Sequence, residues 1–163
     1  MRLAQFMSCV LDAFEATLVK YGVRTVRRKA VECHKELFLR YDVTTLIGIS
    51  GDARGNIAYS FSNDTAKNIA SSMLMGTNVT HLDEIAQSAI TELTNMMTGN
   101  ATIKMSEHQA IVDITPPSLL IGKNTRFYLN FPNIYSVTLD TTVGEIEINF
   151  GVHFSRREEA IQT

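Results

Sequence analysis

The chain has 163 residues, 45% hydrophobic and 20% charged, with a formal net charge of −2. That length and balance suit one globular domain with its own core and exclude a disordered or fibrous chain. The charge also excludes a generic nucleic-acid surface, which concentrates positive residues. Residues 2–21 predict an amphipathic helix, because Leu3, Phe6, Met7, Val10, Leu11, Phe14, Leu18 and Tyr21 recur at intervals of three and four. Its stripe is read as core packing, with Gly22 as the stop. Asp12 and Glu15 interrupt the apolar run, so it is not a signal peptide, and no window offers the ~18 uncharged apolar residues of a membrane-spanning helix.

Residues 23–42 are irregular. Val23, Val26, Val31 and Phe38 suit a strand that charges interrupt, and the basic run Arg24, Arg27, Arg28 and Lys29 is read as a solvated face. Residues 43–49 and 56–61 predict strands, joined by a hairpin turn over Ser50–Gly55 that lacks the terminal Gly-Lys-Ser/Thr of a phosphate loop. A second helix is predicted over 64–75, capped by Ser62 or Asn63 and ended by Gly76. Ala66, Ile69, Ala70, Met73 and Leu74 face inward on it. A third helix is predicted from near His81 to about Asn100 or a little beyond, with Thr80 and Asp83 as a capping-box-like start.

From Ala110 the texture becomes strand-like, over Ala110–Ile114, Ser118–Ile121, Arg126–Phe131, Ile134–Asp140 and Glu145–Phe154. Turns fall at Gly122-Lys123-Asn124, Pro132-Asn133 and Gly144. In the last strand Ile146, Ile148, Phe150 and Val152 alternate with Glu145, Glu147, Asn149 and Gly151, which predicts one buried and one wet face. The fold class expected is α/β (α+β): an antiparallel-rich sheet packed with long helices. Residues 1–155 form the domain and 156–163 a charged tail.

Cys9 and Cys33 make neither a disulfide framework nor a metal motif, so a reduced, cytoplasmic protein is expected. His34, His81, His108 and His153 are scattered with no nucleophile at a recognisable spacing. Met73, Met75, Met96, Met97 and Met105 are read as gap-filling core residues.

The third helix carries the residues most suited to chemistry. Leu82, Ile85, Ala86, Ala89, Ile90, Leu93, Met96 and Met97 cover one broad face at about 100° per residue. Ser88, Glu92, Asn95 and Gly99, spaced four, three and four, line up on a narrow outward stripe. An amide there can hold a water by donating one hydrogen bond and accepting another. The carboxylate can pair with a cation on a partner. Gly99 costs about 1 kcal/mol relative to alanine within a helix, a loss that close approach of a partner's surface explains. Such a stripe suits positioning a water at an electrophile brought by another protein.

Several strings resemble one family. Asp42–Gly55, the strand Asn56–Phe61 and the helix ending Ser72-Met-Leu-Met-Gly76 resemble the front half of CheX proteins. Ser88-x-x-x-Glu92-x-x-Asn95, followed some twenty residues on by Pro116-Pro117, resembles the signature of the CheC/CheX/FliY phosphatases. The resemblance covers residues 1–155. It implies hydrolysis of the aspartyl-phosphate on a phosphorylated CheY-like response regulator, with Asn95 orienting the water and Glu92 docking the regulator's lysine. Ser88, Gly99, Pro116 and Pro117 would shape the binding surface. It implies no cofactor of the chain's own, the Mg²⁺ lying on the regulator, and a homodimer formed through the sheets. CheC-like members carry two such helices; here Glu15 is followed at plus three by Leu18, so one site per chain is expected. The other readings are a catalytically silent dimeric adaptor in two-component signalling and a small-molecule-binding domain.

Overall fold

A computed structural model describes residues 1–122, 126–127 and 131–154. Among these the elements run α1 (Leu3–Val19), β1 (Thr25–His34), β2 (Leu37–Phe38), β3 (Val43–Gly51), β4 (Ala53–Phe61), α2 (Asn63–Met73), α3 (Glu84–Glu107), β5 (Val112–Ile114), β6 (Ser118–Ile121), β7 (Arg126–Phe127), β8 (Ile134–Thr141) and β9 (Gly144–Phe154). The mixed α+β class is the one expected. Of the other predicted features, Lys123, Asn124 and the tail 156–163 lie outside the described residues, as do residues 128–130 of the strand predicted over 126–131.

The main sheet has the order β1-β8-β9-β4-β3-β5, with β6 also on β3, and every pairing is antiparallel. β2 and β7 form a separate pair. The irregular segment after α1 is the edge strand β1. Val26 and Val31 are 66% and 55% exposed, so no face of β1 is dry enough to impose alternation. Its basic run is a solvated strand face, as read, with Arg27 on Asp140 at 2.7 Å and Lys29 on Glu145.

The β3–β4 hairpin is tighter than predicted. The strands pair from Val43 opposite Phe61 to Ile49 opposite Gly55, then continue to Gly51 and from Ala53, leaving Asp52 at the turn. Gly55 sits at φ +147, where a side chain would fall 2.0 Å from the Gly151 carbonyl on β9. At that point β4 and β9 can approach only because Gly55 has no Cβ.

The helices pack on one face of this sheet. Phe6, Phe14 and Leu18 of α1, Ile69 of α2, and Ile90, Leu93 and Met97 of α3 close over Ile47, Ile57, Phe61, Val137 and Ile148. Tyr59 is fully buried beneath α3, its hydroxyl 2.9 Å from Thr98 Oγ1, and burial pushes its pKa upward. α2 starts at Ser62, whose hydroxyl accepts from the Thr65 N–H at 3.1 Å, so Ser62 rather than Asn63 is the cap.

The opposite face is not wet, which corrects the reading of the last strand. Glu147 and Asn149 are 2% and 1% exposed, beside buried Thr44, Ser60, Ser136 and Thr138. Residues 39–41 lie against this face: Leu39 packs with Ala58 and Ile134, Arg40 pairs with Glu147 at 3.7 Å, and Tyr41 donates to Glu145. Some of the buried polar groups satisfy one another, with Asn149 Nδ2 donating to Glu147 Oε1 at 3.1 Å and Ser136 Oγ to Asn149 Oδ1, while Thr138 Oγ1 and Glu147 Oε2 have no hydrogen-bond partner among the described residues. Burial, opposed by the Asn149 bond and by Arg40, lifts the Glu147 carboxyl above its ordinary value.

Met75 is a second correction. It is 98% exposed at φ +58, in the turn after α2, and takes no part in the core. The Gly76 N–H closes that turn on the Ser71 carbonyl at 2.8 Å. Met97 and Met105 are core residues as expected, and Met73 and Met96 are half-buried.

Candidate active site

α3 begins at Asp83, whose carboxylate accepts from the Ala86 N–H at 2.9 Å. Thr80 does not cap it; its hydroxyl meets His81 Nδ1 at 3.1 Å instead. The helix runs past Asn100 to Glu107, 24 residues in all. Its hydroxyls turn back onto the helix itself. Thr91, Thr94, Thr98, Thr102 and Ser106 each bond a carbonyl three or four residues back, so they do not compete for solvent.

The buried side of α3 comprises Ala86, Ala89, Ile90, Leu93, Thr94, Met97, Thr98, Ala101 and Met105. It is narrower than the predicted apolar face: Ile85 is 64% exposed, Met96 is half-buried, and Leu82 precedes the helix. α1 fixes its rotation, since Asn100 Nδ2 donates to Thr17 Oγ1 at 3.1 Å and the Tyr21 hydroxyl points at Met96 Sδ.

With that side locked, the predicted stripe points outward. Ser88 and Glu92 are exposed, and Asn95 and Gly99 half-buried. Glu92 and Asn95 stand one turn apart, about 5–6 Å between Cβ atoms. Among the described residues neither side chain has a hydrogen-bond or ion-pair partner in the chain. The contrast with Asn100, five residues on and tied to α1, is direct. A Cβ at Gly99 would meet nothing within 4 Å, so no neighbour in the chain requires a glycine there.

Pro116 and Pro117 are placed elsewhere. β5 and β6 both pair with β3 and act as one edge strand broken at Thr115-Pro116-Pro117. At the break the Gly48 N–H donates to Thr115 Oγ1 at 2.9 Å, and the Thr115 N–H to the Gly48 carbonyl at 3.0 Å. Prolines suit a position where the ladder is already interrupted. α3 packs against both β5 and β6, the strands on either side of the prolines.

Two features escaped the sequence. The first is an open groove of about 510 Å³ between the end of α2 and the start of α3, lined by Met73, Leu74, Ile85, Ser88 and Glu92. The second is a register relation between α1 and α3. Residues 9, 10, 13, 14, 17 and 18 of α1 are buried, as are the residues of α3 with 80 added to each number; between them 8, 12, 15 and 19 are exposed, where 88 and 92 are exposed and 95 and 99 half-buried. Asp12 and Glu15 therefore stand where Glu92 and Asn95 stand. Leu18, 1% exposed, belongs to the core and was the wrong position at which to look for an amide.

The family described as chemotaxis phosphatase CheX matches residues 43–132, which include all of α2 and α3 and both prolines. A CheY-P phosphatase CheX from Thermotoga maritima is 41% identical over 86 residues, 53% of this chain and 56% of that protein. The chain thus spans about half the length of the curated relative it matches. The crystal structure of a chemotaxis protein CheX from Desulfovibrio desulfuricans superposes with a TM-score of 0.80 at 20% identity, covering 92% of this chain and 99% of that one. A CheX-CheY-BeF₃-Mg²⁺ complex from Borrelia burgdorferi gives 0.70 at 21% identity, covering 91% and 97%. With the fold, the outward Glu-x-x-Asn stripe and the family match in agreement, the chain belongs to the CheX family.

Proposed function

We propose that the chain hydrolyses the aspartyl-phosphate of a phosphorylated CheY-like response regulator, with the α3 stripe as its contribution to a shared active site. The observation that carries this is the Asn95 amide, without a partner among the described residues, beside exposed Glu92, on a helix whose other asparagine is spent on packing. The Thermotoga relative is a CheY-P phosphatase, and the Borrelia complex pairs a CheX with a CheY, so such a regulator is the natural substrate class.

Asn95 Oδ1 accepts a hydrogen bond from a water and turns the oxygen lone pair toward phosphorus. The water attacks in line, the P–O bond to the aspartate breaks, and inorganic phosphate leaves with the regulator's carboxylate restored. Holding that water is an orientation effect, which can carry a large part of a barrier. Glu92 pairs with the regulator's active-site lysine and fixes the approach. The regulator brings the Mg²⁺ that neutralises the phosphoryl oxygens. Ser88 and Gly99 border the contact surface, and Pro116 and Pro117 shape the adjoining edge. The protein acts as a homodimer through its sheets; the exposed ten-residue edge β1, with Val26 and Val31 in water, supports pairing with a second copy.

Phosphate release from a phosphorylated CheY-like regulator tests this. Asn95→Ala should lower the rate at least ~100-fold with the fold intact. An unchanged rate removes Asn95 from the mechanism. No acceleration by the wild type across the organism's regulators leaves the silent adaptor.

A further inference from the structure

Two large apolar side chains stand in solvent on α3, and their placement is regular. Ile85 and Ile103 are 64% and 62% exposed. They are eighteen residues apart, about five helical turns, so both occupy the same angular position some 27 Å apart along the axis. Glu92 and Gly99 lie within about 40° of the line that joins them. The other exposed residues of α3 are Glu84, Ser88, Glu92, Ser106 and Glu107, all polar. Single exposed hydrophobics are ordinary on a protein surface. Two in line with Glu92 between them, and Asn95 about 80° round the helix, are not explained by packing among the described residues.

The first anchor has depth. Ile85 lines the groove together with Met73 and Leu74 of the α2 end, and Glu92 lines it too. Met75 follows directly, 98% exposed at φ +58. That conformation is disfavoured for a side chain with a Cβ, so the turn holds an apolar group in water at some cost. Two carboxylates, Glu84 and Glu92, line the groove, and among the described lining residues no cation faces them.

We infer that Ile85 and Ile103 are paired docking anchors that seat the phosphorylated receiver domain across the α3 stripe. The receiver presents an apolar patch on each side of its phosphorylated aspartate and a basic residue toward Glu84 and Glu92. The inference rests on the phosphatase reading for the identity of the partner. It goes further in assigning affinity, and hence the choice among regulators, to residues outside the Glu92–Asn95 pair. The anchors hold the partner and touch no reacting atom, so they act on KM and leave kcat alone.

The test uses the full chain with a CheY-like receiver, phosphorylated for turnover and loaded with beryllofluoride for binding. Ile85→Ser and Ile103→Ser should each raise KM and Kd about tenfold, with kcat held within about twofold, the scale expected when one aliphatic side chain loses its burial. Ile85→Met should restore binding. Both sites are exposed, so the thermal midpoint should not move and a folding defect is excluded by the same samples. If the double variant binds and turns over like wild type, the anchors are overturned and the phosphatase reading stands. If wild type binds without turnover, the phosphatase reading falls and Kd alone judges the anchors. If wild type neither binds nor turns over any receiver, both are overturned.

Discussion

Gly99 offers an experiment in which stability and activity should move in opposite directions. It lies inside α3, at no unusual backbone angle, and a Cβ there meets nothing within 4 Å. Gly99→Ala therefore adds a methyl to open space and removes the flexibility of glycine from the unfolded chain. A glycine in a helix interior is less favourable than alanine by about 0.8–1.0 kcal/mol. For a protein of this size that amounts to about 2–4 °C in thermal midpoint. Gly99→Leu should be nearly as stable, since leucine is also a strong helix former. If the receiver's surface closes on this stripe, the leucine overlaps it, and overpacking of about 1–3 kcal/mol weakens the complex. The assay pairs thermal unfolding with phosphate release and receiver binding on the same samples. A leucine variant with wild-type Kd and turnover would falsify the idea that Gly99 admits a partner. A midpoint that falls in Gly99→Ala would mean that α3 is not open there.

Three further outcomes follow from the geometry. Glu92→Lys should weaken receiver binding by like-charge repulsion while the thermal midpoint stays put, because Glu92 is exposed and has no partner among the described residues; binding indifferent to the change removes its docking role. Asp83→Ala should destabilise the fold by about 1 kcal/mol through loss of the cap on the Ala86 N–H, read as a lower denaturant midpoint, and no change would place the cap elsewhere. Glu147 titrates above its ordinary 4.5 because it is buried, facing Arg40, Glu32, His34 and Asn149. The folded state thus binds its proton more tightly than the unfolded chain, and stability from this group is present below 4.5 and lost as pH rises through the raised value. Glu147→Gln should flatten that part of the pH–stability curve, and an unaltered slope would refute the assignment.

The helices were legible because each buries one side only. Phe6, Val10, Phe14 and Leu18 repeat at helical spacing, and Ile90, Leu93 and Met97 do the same. β1 was not, because an edge strand wet on both faces has no alternation to read. In β9 the alternation named which residues share a face but not what covers it. The cover, residues 39–41, comes from a hundred positions earlier in the chain. The length of α3 was underestimated at Asn100, a poor helix former in isolation, whose side chain is engaged by Thr17. Glu92 and Asn95 were found by spacing, since an outward stripe depends on the helix alone. The groove beside them was invisible, because it depends on how α2 ends against α3.

The shared burial pattern of α1 and α3 bears on how such a protein changes over generations. Asp12 and Glu15 occupy the outward places that Glu92 and Asn95 occupy on the other helix, and all four face solvent or its margin. Changing the residues at those four places thus requires only surface substitutions that leave the buried side of either helix as it is. Surface substitutions away from caps and buried groups shift stability by only about 0.5 kcal/mol, so the outward faces of α1 and α3 can vary while the core that holds them stays the same.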